Sequence, residues 1–221
     1  MGVVVMKPDA PGEYWNGRYS SIGSTHVSWY EAHPGMSLAL LDRAGVTAAA
    51  SVIDVGGGAS TLVDRLLERG HCDVSVLDLS SAALDEARRR TADQGSAVDW
   101  MVGDVREFVP ARRWDVWHDR AAFHFLVDAG DRRQYVQALA DGLADDGIVI
   151  AAAFAEDGPT QCSGLPVERY DADRLFAELS AGVPLELLVA ERHVHITPSG
   201  AEQPFTWIVA RRVPGGHGID A

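Results

Sequence analysis

Lysine is nearly missing from this sequence, with Lys7 the only one among 221 residues. A Tyr-x-x-x-Lys catalytic pair, the mark of short NAD(P)-dependent reductases, therefore has no candidate. Cysteine is scarce too: Cys72 and Cys162 stand far apart with no metal-ligand spacing around either. That excludes a disulfide framework and a cysteine-built metal site. No apolar run approaches the roughly 18 residues that a membrane-spanning helix needs. The opening MGVVVMKPDAPGEYW lacks the basic segment and long apolar run of a secretory signal. A reducing, cytoplasmic setting without a membrane partner is the expectation.

Positive charge is the other deficit. Nineteen Lys and Arg stand against 32 Asp and Glu, a formal net charge of −13 at pH 7. Such a field repels phosphate backbones and favours neutral or cationic partners, so no nucleic-acid partner is expected. What remains is ordinary for a globular protein, with 47% hydrophobic and 23% charged residues. Residues 1–221 read as one domain, with residues 1–11 and the glycine-rich tail 213–221 as loose ends. Monomer and homodimer are both compatible with this.

Apolar runs alternate with helical patterns along the chain. SLALLDRAG has helical spacing and a glycine stop; SVIDVG reads as a strand, followed by a helix over STLVDRLLERG with Ser60 or Thr61 as cap. CDVSVLDLS is a second strand, and the helix after it starts at Ser80 or Ser81. AVDWMVGDV and WDVWHDR give two more strands, RRQYVQALADGLADDG a helix, IVIAAAFAEDGP a fifth strand and DADRLFAEL a last helix. This alternation implies a doubly wound α/β sheet of parallel strands. The final runs, PLELLVAERHVHI and QPFTWIVARRV, are joined only by TPSGAEQ, too short for a crossover helix. They close the seven-stranded sheet as an antiparallel hairpin.

In such a sheet a ligand sits beyond the carboxyl ends of the strands. Those ends hold Asp54 with Gly56, Gly57 and Gly58, then Asp78, then Asp104. Glycine allows a tight turn and close approach of a ligand to the backbone. A dinucleotide fingerprint would want a further glycine where Thr61 stands. A pyrophosphate at the helix N-terminus would also be repelled by Asp54. S-adenosylmethionine has no phosphate, and its sulfonium and ammonium groups suit a ring of carboxylates.

With VIDVGGGAS, VSVLDLS, VGDV, WDVWHDRAAFHFL and a closing hairpin in that order, the chain resembles the class I S-adenosylmethionine-dependent methyltransferases from about residue 12 to 212. The resemblance implies a Rossmann-like fold and S-adenosyl-L-methionine as cofactor. It places Asp54, Gly56, Gly57 and Gly58 around the methionine moiety, Asp78 with Leu79 at the ribose hydroxyls, and Asp104 with Val105 at the adenine. Ser60 replaces the last small residue of the family's glycine motif. Upstream, EYWNGRYSSIGSTHVSWYEAHP resembles a YW…Y……WY pattern of bacterial members and of methyltransferase-like protein lysine methyltransferases. It implies a helical cap over residues 12–45, with Trp15, Arg18, Tyr19 and Trp29 lining the pocket. Plain packing of a helix on the sheet would use the same aromatics.

Methyl transfer from a sulfonium is an in-line displacement, which needs alignment and exclusion of water before any acid or base. His118, Asp119 and His124 fall where the family binds its acceptor, His118 also within reach of the cofactor. A histidine base near neutral pH suits an amine, thiol or hydroxyl acceptor. His124 is expected about one and a half turns into the next helix, where a satisfied core histidine is the other reading. Cys162, Ser163 and Tyr170 lie in a loop that would complete the acceptor pocket; direct displacement asks no covalent role of Cys162. His193 and His195 alternate on a strand with no carboxylate or cysteine at ligand spacing, so no metal is expected. The acceptor is then a small molecule or a lysine-bearing amine. Protein lysine N-methylation, a short NAD(P)-dependent reductase and a non-catalytic cofactor-binding domain are the alternatives.

Overall fold

The computed structural model describes residues 10–94 and 98–214. The ends 1–9 and 215–221, read above as loose, lie outside those residues; Pro11 opens a helix.

Helices α1 (Pro11–Ile22) and α2 (Gly35–Arg43) precede β1 (Val52–Val55). Then follow α3 (Leu62–Glu68), β2 (Val74–Asp78), α4 (Ser81–Arg90), β3 (Asp99–Val102), β4 (Trp114–Arg120), α5 (Ala129–Gly142) and β5 (Leu143–Phe154). The chain ends with β6 (Gln161–Cys162), β7 (Leu165–Pro166), α6 (Ala172–Ser180), β8 (Leu185–Ile196) and β9 (Glu202–Arg212). Seven strands form one sheet in the order β3-β2-β1-β4-β5-β9-β8. The pairs from β3 to β5 are parallel, and β9 is antiparallel to both β5 and β8. This is the Rossmann-like sheet with a terminal hairpin that the sequence pattern implies.

Local chemistry explains the helix starts. Ser80, Asp128 and Asp171 each accept a backbone N–H from the first turn of α4, α5 and α6 respectively, satisfying donors that a helix N-terminus otherwise leaves open. At α3 the Thr61 hydroxyl donates instead to the Glu31 carbonyl, while Ser60 Oγ accepts from Leu62 N. Alternate strand residues pack on opposite faces of the sheet. Val52, Val76, Val116 and Ile150 meet α2 and α3 on one side, and Ile53, Val55, Trp117 and Val149 meet α5 and α6 on the other. Burial on both faces is why the inner strands read as nearly continuous apolar runs.

Two local expectations are corrected. The helix placed after β4 is a single 3₁₀ turn, Phe123–Phe125, because Asp119 takes up the Ala122 and Phe123 N–H groups and the chain turns away at Leu126. The LADDG end of the α5 pattern belongs to β5, since Gly142 packs against Trp117 and Pro110 and the strand begins at Leu143. A small ribbon, β6 with β7, was not anticipated.

Candidate active site

The strand order reverses between β1 and β4, and at the carboxyl ends of these strands the structure opens a cavity of about 230 Å³. This is the crevice that an open α/β sheet offers a ligand.

Its first half lies over β1, β2 and β3. Asp78, the last residue of β2, lines it and accepts the Ser80 N–H on Oδ1 at 2.7 Å. Burial pushes the Asp78 carboxyl up to about 7, against the Ser80 bond and aided by the nearby Asp54 charge. Leu79, Gly103, Asp104 and Val105 line the same half. Burial alone would raise the Asp104 carboxyl, but Arg106 outweighs it and holds it below the usual range, with Nε 2.9 Å from Oδ1 and 3.0 Å from Oδ2. Arg106 also reaches Asp131 at 3.1 Å.

The glycine run serves the protein's own side chains as much as a ligand. Gly56 lines the cavity at φ 68°, and a Cβ there would stand 2.5 Å from the Ala122 Cβ. At Gly57 a Cβ would meet Asp54 Oδ2 at 2.5 Å, and at Gly58 the Tyr19 hydroxyl at 2.6 Å. Neither Gly57 nor Gly58 is among the lining residues. Asp54 itself is buried beneath the loop, its Oδ1 2.7 Å from His118 Nδ1, and His118 Nε2 lies 2.9 Å from Ser37 Oγ.

His118 and Asp119 thus sit behind the cavity wall. The Asp119 carboxylate accepts the Ala122 and Phe123 N–H groups and the Tyr135 hydroxyl, at 2.8, 3.0 and 2.7 Å. Burial pushes its carboxyl up to about 6, although Tyr135 and the backbone N–H groups oppose this. Both residues hold strand and turn in shape, and neither faces the cavity.

The second half lies over β4, β5 and β9. His124 lines it, is fully buried, and has no hydrogen-bond partner at either ring nitrogen. Burial pushes its imidazole down to about 3. Ala121, at φ 71°, carries the chain from β4 toward this turn; a non-glycine residue in that region is strained and favours functional sites. Phe125, Phe154 and Phe205 form apolar walls, and Gln203 lies two residues before Phe205 on the same face of β9. Cys162 lines the edge, whereas Ser163 and Tyr170 do not. Burial pushes the Cys162 thiol up to about 11, the opposite of an activated nucleophile.

Helix α1 lies over these strand ends and contributes Trp15 and Tyr19 to the cavity; Trp29 follows from the next segment. Arg18 does not line it. Asn16 Oδ1 accepts from Ser80 Oγ and Ala82 N, fastening α1 to the start of α4, and the Tyr14 hydroxyl donates to the Ser163 carbonyl. The segment that carries Trp29 is tied down by Arg120 NH2 on the Trp29 carbonyl at 2.7 Å and by His195 Nε2 at 2.8 Å from the Ser28 carbonyl. His195 is on the edge strand yet buried, because this segment covers it. Among the described residues no group of three or more metal-ligating side chains stands together, and no helix is long and apolar enough to cross a membrane.

Residues 52–147 match the family described as methyltransferase domain. That match agrees with the resemblance to class I S-adenosylmethionine-dependent methyltransferases carried by the sequence. Solved structures share this fold over nearly the whole length of the chain. The 1,6-didemethyltoxoflavin-N1-methyltransferase of Burkholderia thailandensis, with bound 1,6-didemethyltoxoflavin and S-adenosylhomocysteine, is 20% identical, with TM-score 0.76 and coverage of 97% of this chain and 94% of that one. A structure described under the conversion of a disulfide bond into a thioacetal group during echinomycin biosynthesis is 18% identical, TM-score 0.73, covering 91% and 93%. A S-adenosylmethionine-dependent methyltransferase from Anabaena variabilis is 18% identical, TM-score 0.69, covering 96% and 100%. At these identities the likeness concerns the fold. No curated protein matches this chain in sequence.

Sequence reasoning missed several of the cavity residues: Arg106, Arg120, Phe125, Phe154, Gln203 and Phe205. A signal existed for one pair. In QPFTW the alternation puts Gln203 and Phe205 on one face, but nothing local says that β9 lies beside β5.

Proposed function

We propose that the protein is an S-adenosylmethionine-dependent methyltransferase that transfers a methyl group to a small-molecule acceptor, with the cofactor over β1, β2 and β3 and the acceptor over β4, β5 and β9. The supporting observation is the division of the cavity: its carboxylates, Asp78, Asp104 and Asp131, gather at one end, and its phenylalanines and the unpartnered His124 at the other.

The first half fits S-adenosylmethionine. Asp78 would accept from the ribose hydroxyls, Asp104 from the adenine amino group, and the Gly56 backbone would meet the amino-acid end. Both cavity-lining arginines are already paired, Arg106 with Asp104 and Asp131, and Arg120 with Glu31 at 3.2 Å. A pyrophosphate would therefore meet no unpaired arginine on the cavity wall, which weighs against a dinucleotide cofactor. When bound, S-adenosylmethionine supplies an electrophilic methyl carbon whose bond to sulfur breaks with the electron pair passing to sulfur. The chain's own contribution is to align and to shield: Trp15, Tyr19 and Trp29 roof the cavity, and exclusion of water with fixed geometry accounts for much of such a rate. His124 faces the acceptor and takes a hydrogen bond from it.

Calorimetry with S-adenosylhomocysteine tests this reading. Binding in the micromolar range is expected; no heat at ligand concentrations near a millimolar would contradict it.

A further inference from the structure

We propose that the acceptor end of the cavity receives an uncharged, planar aromatic molecule, which points its reacting O–H or ring N–H at His124 and a second donor at Gln203. This rests on the methyl-transfer reading above and narrows its substrate class.

Three observations carry it. The walls are aromatic: Trp15 and Phe125 meet edge-on with centroids 5.1 Å apart, Phe154 and Phe205 likewise at 4.9 Å, and His124 lies 4.8 Å from Phe154. Aromatic faces arranged this way favour a ring between or against them.

Second, this end of the cavity holds buried polar atoms without partners, both ring nitrogens of His124 and the Gln203 Oε1. Such atoms carry a desolvation cost that a ligand with complementary groups removes. A neutral imidazole offers one donor and one acceptor, and the Gln203 oxygen a further acceptor.

Third, the end carries no net charge for an ionic acceptor to meet. None of its lining residues is a carboxylate, and its one guanidinium, Arg120, is held by Glu31 and the Trp29 carbonyl. An alkylammonium would face Arg120 with no counterion on the wall. It would also arrive protonated, with a pKa of about 10, and a ring that burial holds at about 3 does not remove that proton. A hydroxyl or lactam N–H has no such obstacle. It is neutral on arrival; as its oxygen or nitrogen bonds the methyl carbon and the C–S electron pair passes to sulfur, its proton becomes strongly acidic and passes to the His124 nitrogen that accepts it.

The test is calorimetry on the whole protein saturated with S-adenosylhomocysteine, using 2-quinolinone and 2-naphthol as neutral probes, hexylamine as the cation and 2-naphthoate as the anion. The neutral probes should bind at least tenfold more tightly than either ion. His124→Phe keeps the aromatic packing and should weaken 2-quinolinone about tenfold, the size of effect expected when a site loses a buried hydrogen bond, with S-adenosylhomocysteine affinity unchanged. Gln203→Leu provides the same readout if the first variant fails to fold. Preference for hexylamine or 2-naphthoate, no binding of either neutral probe, or unchanged 2-quinolinone affinity in both variants would overturn the proposal. Failure of S-adenosylhomocysteine itself to bind the unmodified protein would instead strike the methyl-transfer reading.

Discussion

His118 and Asp54 face each other as register partners on β4 and β1, with Nδ1 2.7 Å from Oδ1 and both side chains buried. Ser37 of α2 closes the set at 2.9 Å from Nε2. The arrangement is a strut beneath the glycine loop, since Gly57 rests directly on the Asp54 carboxylate. Two residues that the sequence placed at the chemistry thus lie beneath the glycine loop and do not line the cavity.

The strut gives the first prediction. His118→Leu leaves the Asp54 carboxylate and the Ser37 hydroxyl buried without their partner, and unfolding free energy should fall by about 2–4 kcal/mol. Urea denaturation measures it. A loss below about 0.5 kcal/mol would show that the contact contributes little.

Gly57→Ala should also destabilise. Its Cβ would lie 2.5 Å from Asp54 Oδ2 and 2.7 Å from Val76 Cγ1, and overpacking of this kind costs about 1–3 kcal/mol. The control is Gly17→Ala in α1, where nothing lies within 4 Å. There alanine should stabilise by about 0.5–1 kcal/mol. Thermal melts of the two variants should move in opposite directions.

Cofactor affinity should depend on pH through Asp78. Its carboxyl is raised to about 7 in the cofactor-free protein, while the unfolded chain loses this proton near 4. The folded state therefore keeps a proton that the unfolded state has lost between these values. This contribution favours folding at low pH and disappears as pH rises through 7. A cofactor bonded through its hydroxyls selects the carboxylate, so binding expels the proton below pH 7. Affinity should rise by up to about tenfold per pH unit from 5 to 7 and level off above. Titrations of S-adenosylhomocysteine across this range should show the slope, and Asp78→Asn should abolish it.

The two cysteines should differ sharply in reactivity. Cys72 is exposed, whereas Cys162 is buried with its thiol pushed up to about 11. Iodoacetamide at pH 7.5 should label Cys72 first, with Cys162 at least tenfold slower by mass spectrometry. Equal rates would contradict the enclosure of the acceptor end.

The fold was legible because its determinants are local. Strand-length apolar runs, the Ser80 cap of α4 and the short TPSGAEQ connection each declare their element without help from distant sequence. The Asp78, Asp104 and Gly56 end of the cavity was legible for the same reason, since a residue at a strand end is placed by topology alone. The acceptor end was not. Phe154 and Phe205 become neighbours only through β5–β9 pairing, and a residue just beyond a strand, such as His124, faces the cavity or not according to how the turn is capped. Asp119 decided that by ending the helical pattern after one 3₁₀ turn. His118, which reads like a catalytic histidine in sequence, was claimed by Asp54 on the adjacent strand, a pairing visible only once β1 and β4 are aligned.

On the proposed reading the carboxylate end of the cavity holds the nucleoside and the aromatic end holds the acceptor. A crystal structure with S-adenosylhomocysteine tests it most directly. The ribose hydroxyls should lie on Asp78, the adenine amino group at Asp104 and the sulfur toward the His124 side; a nucleoside bound elsewhere, or Asp78 turned away from the sugar, would refute this placement.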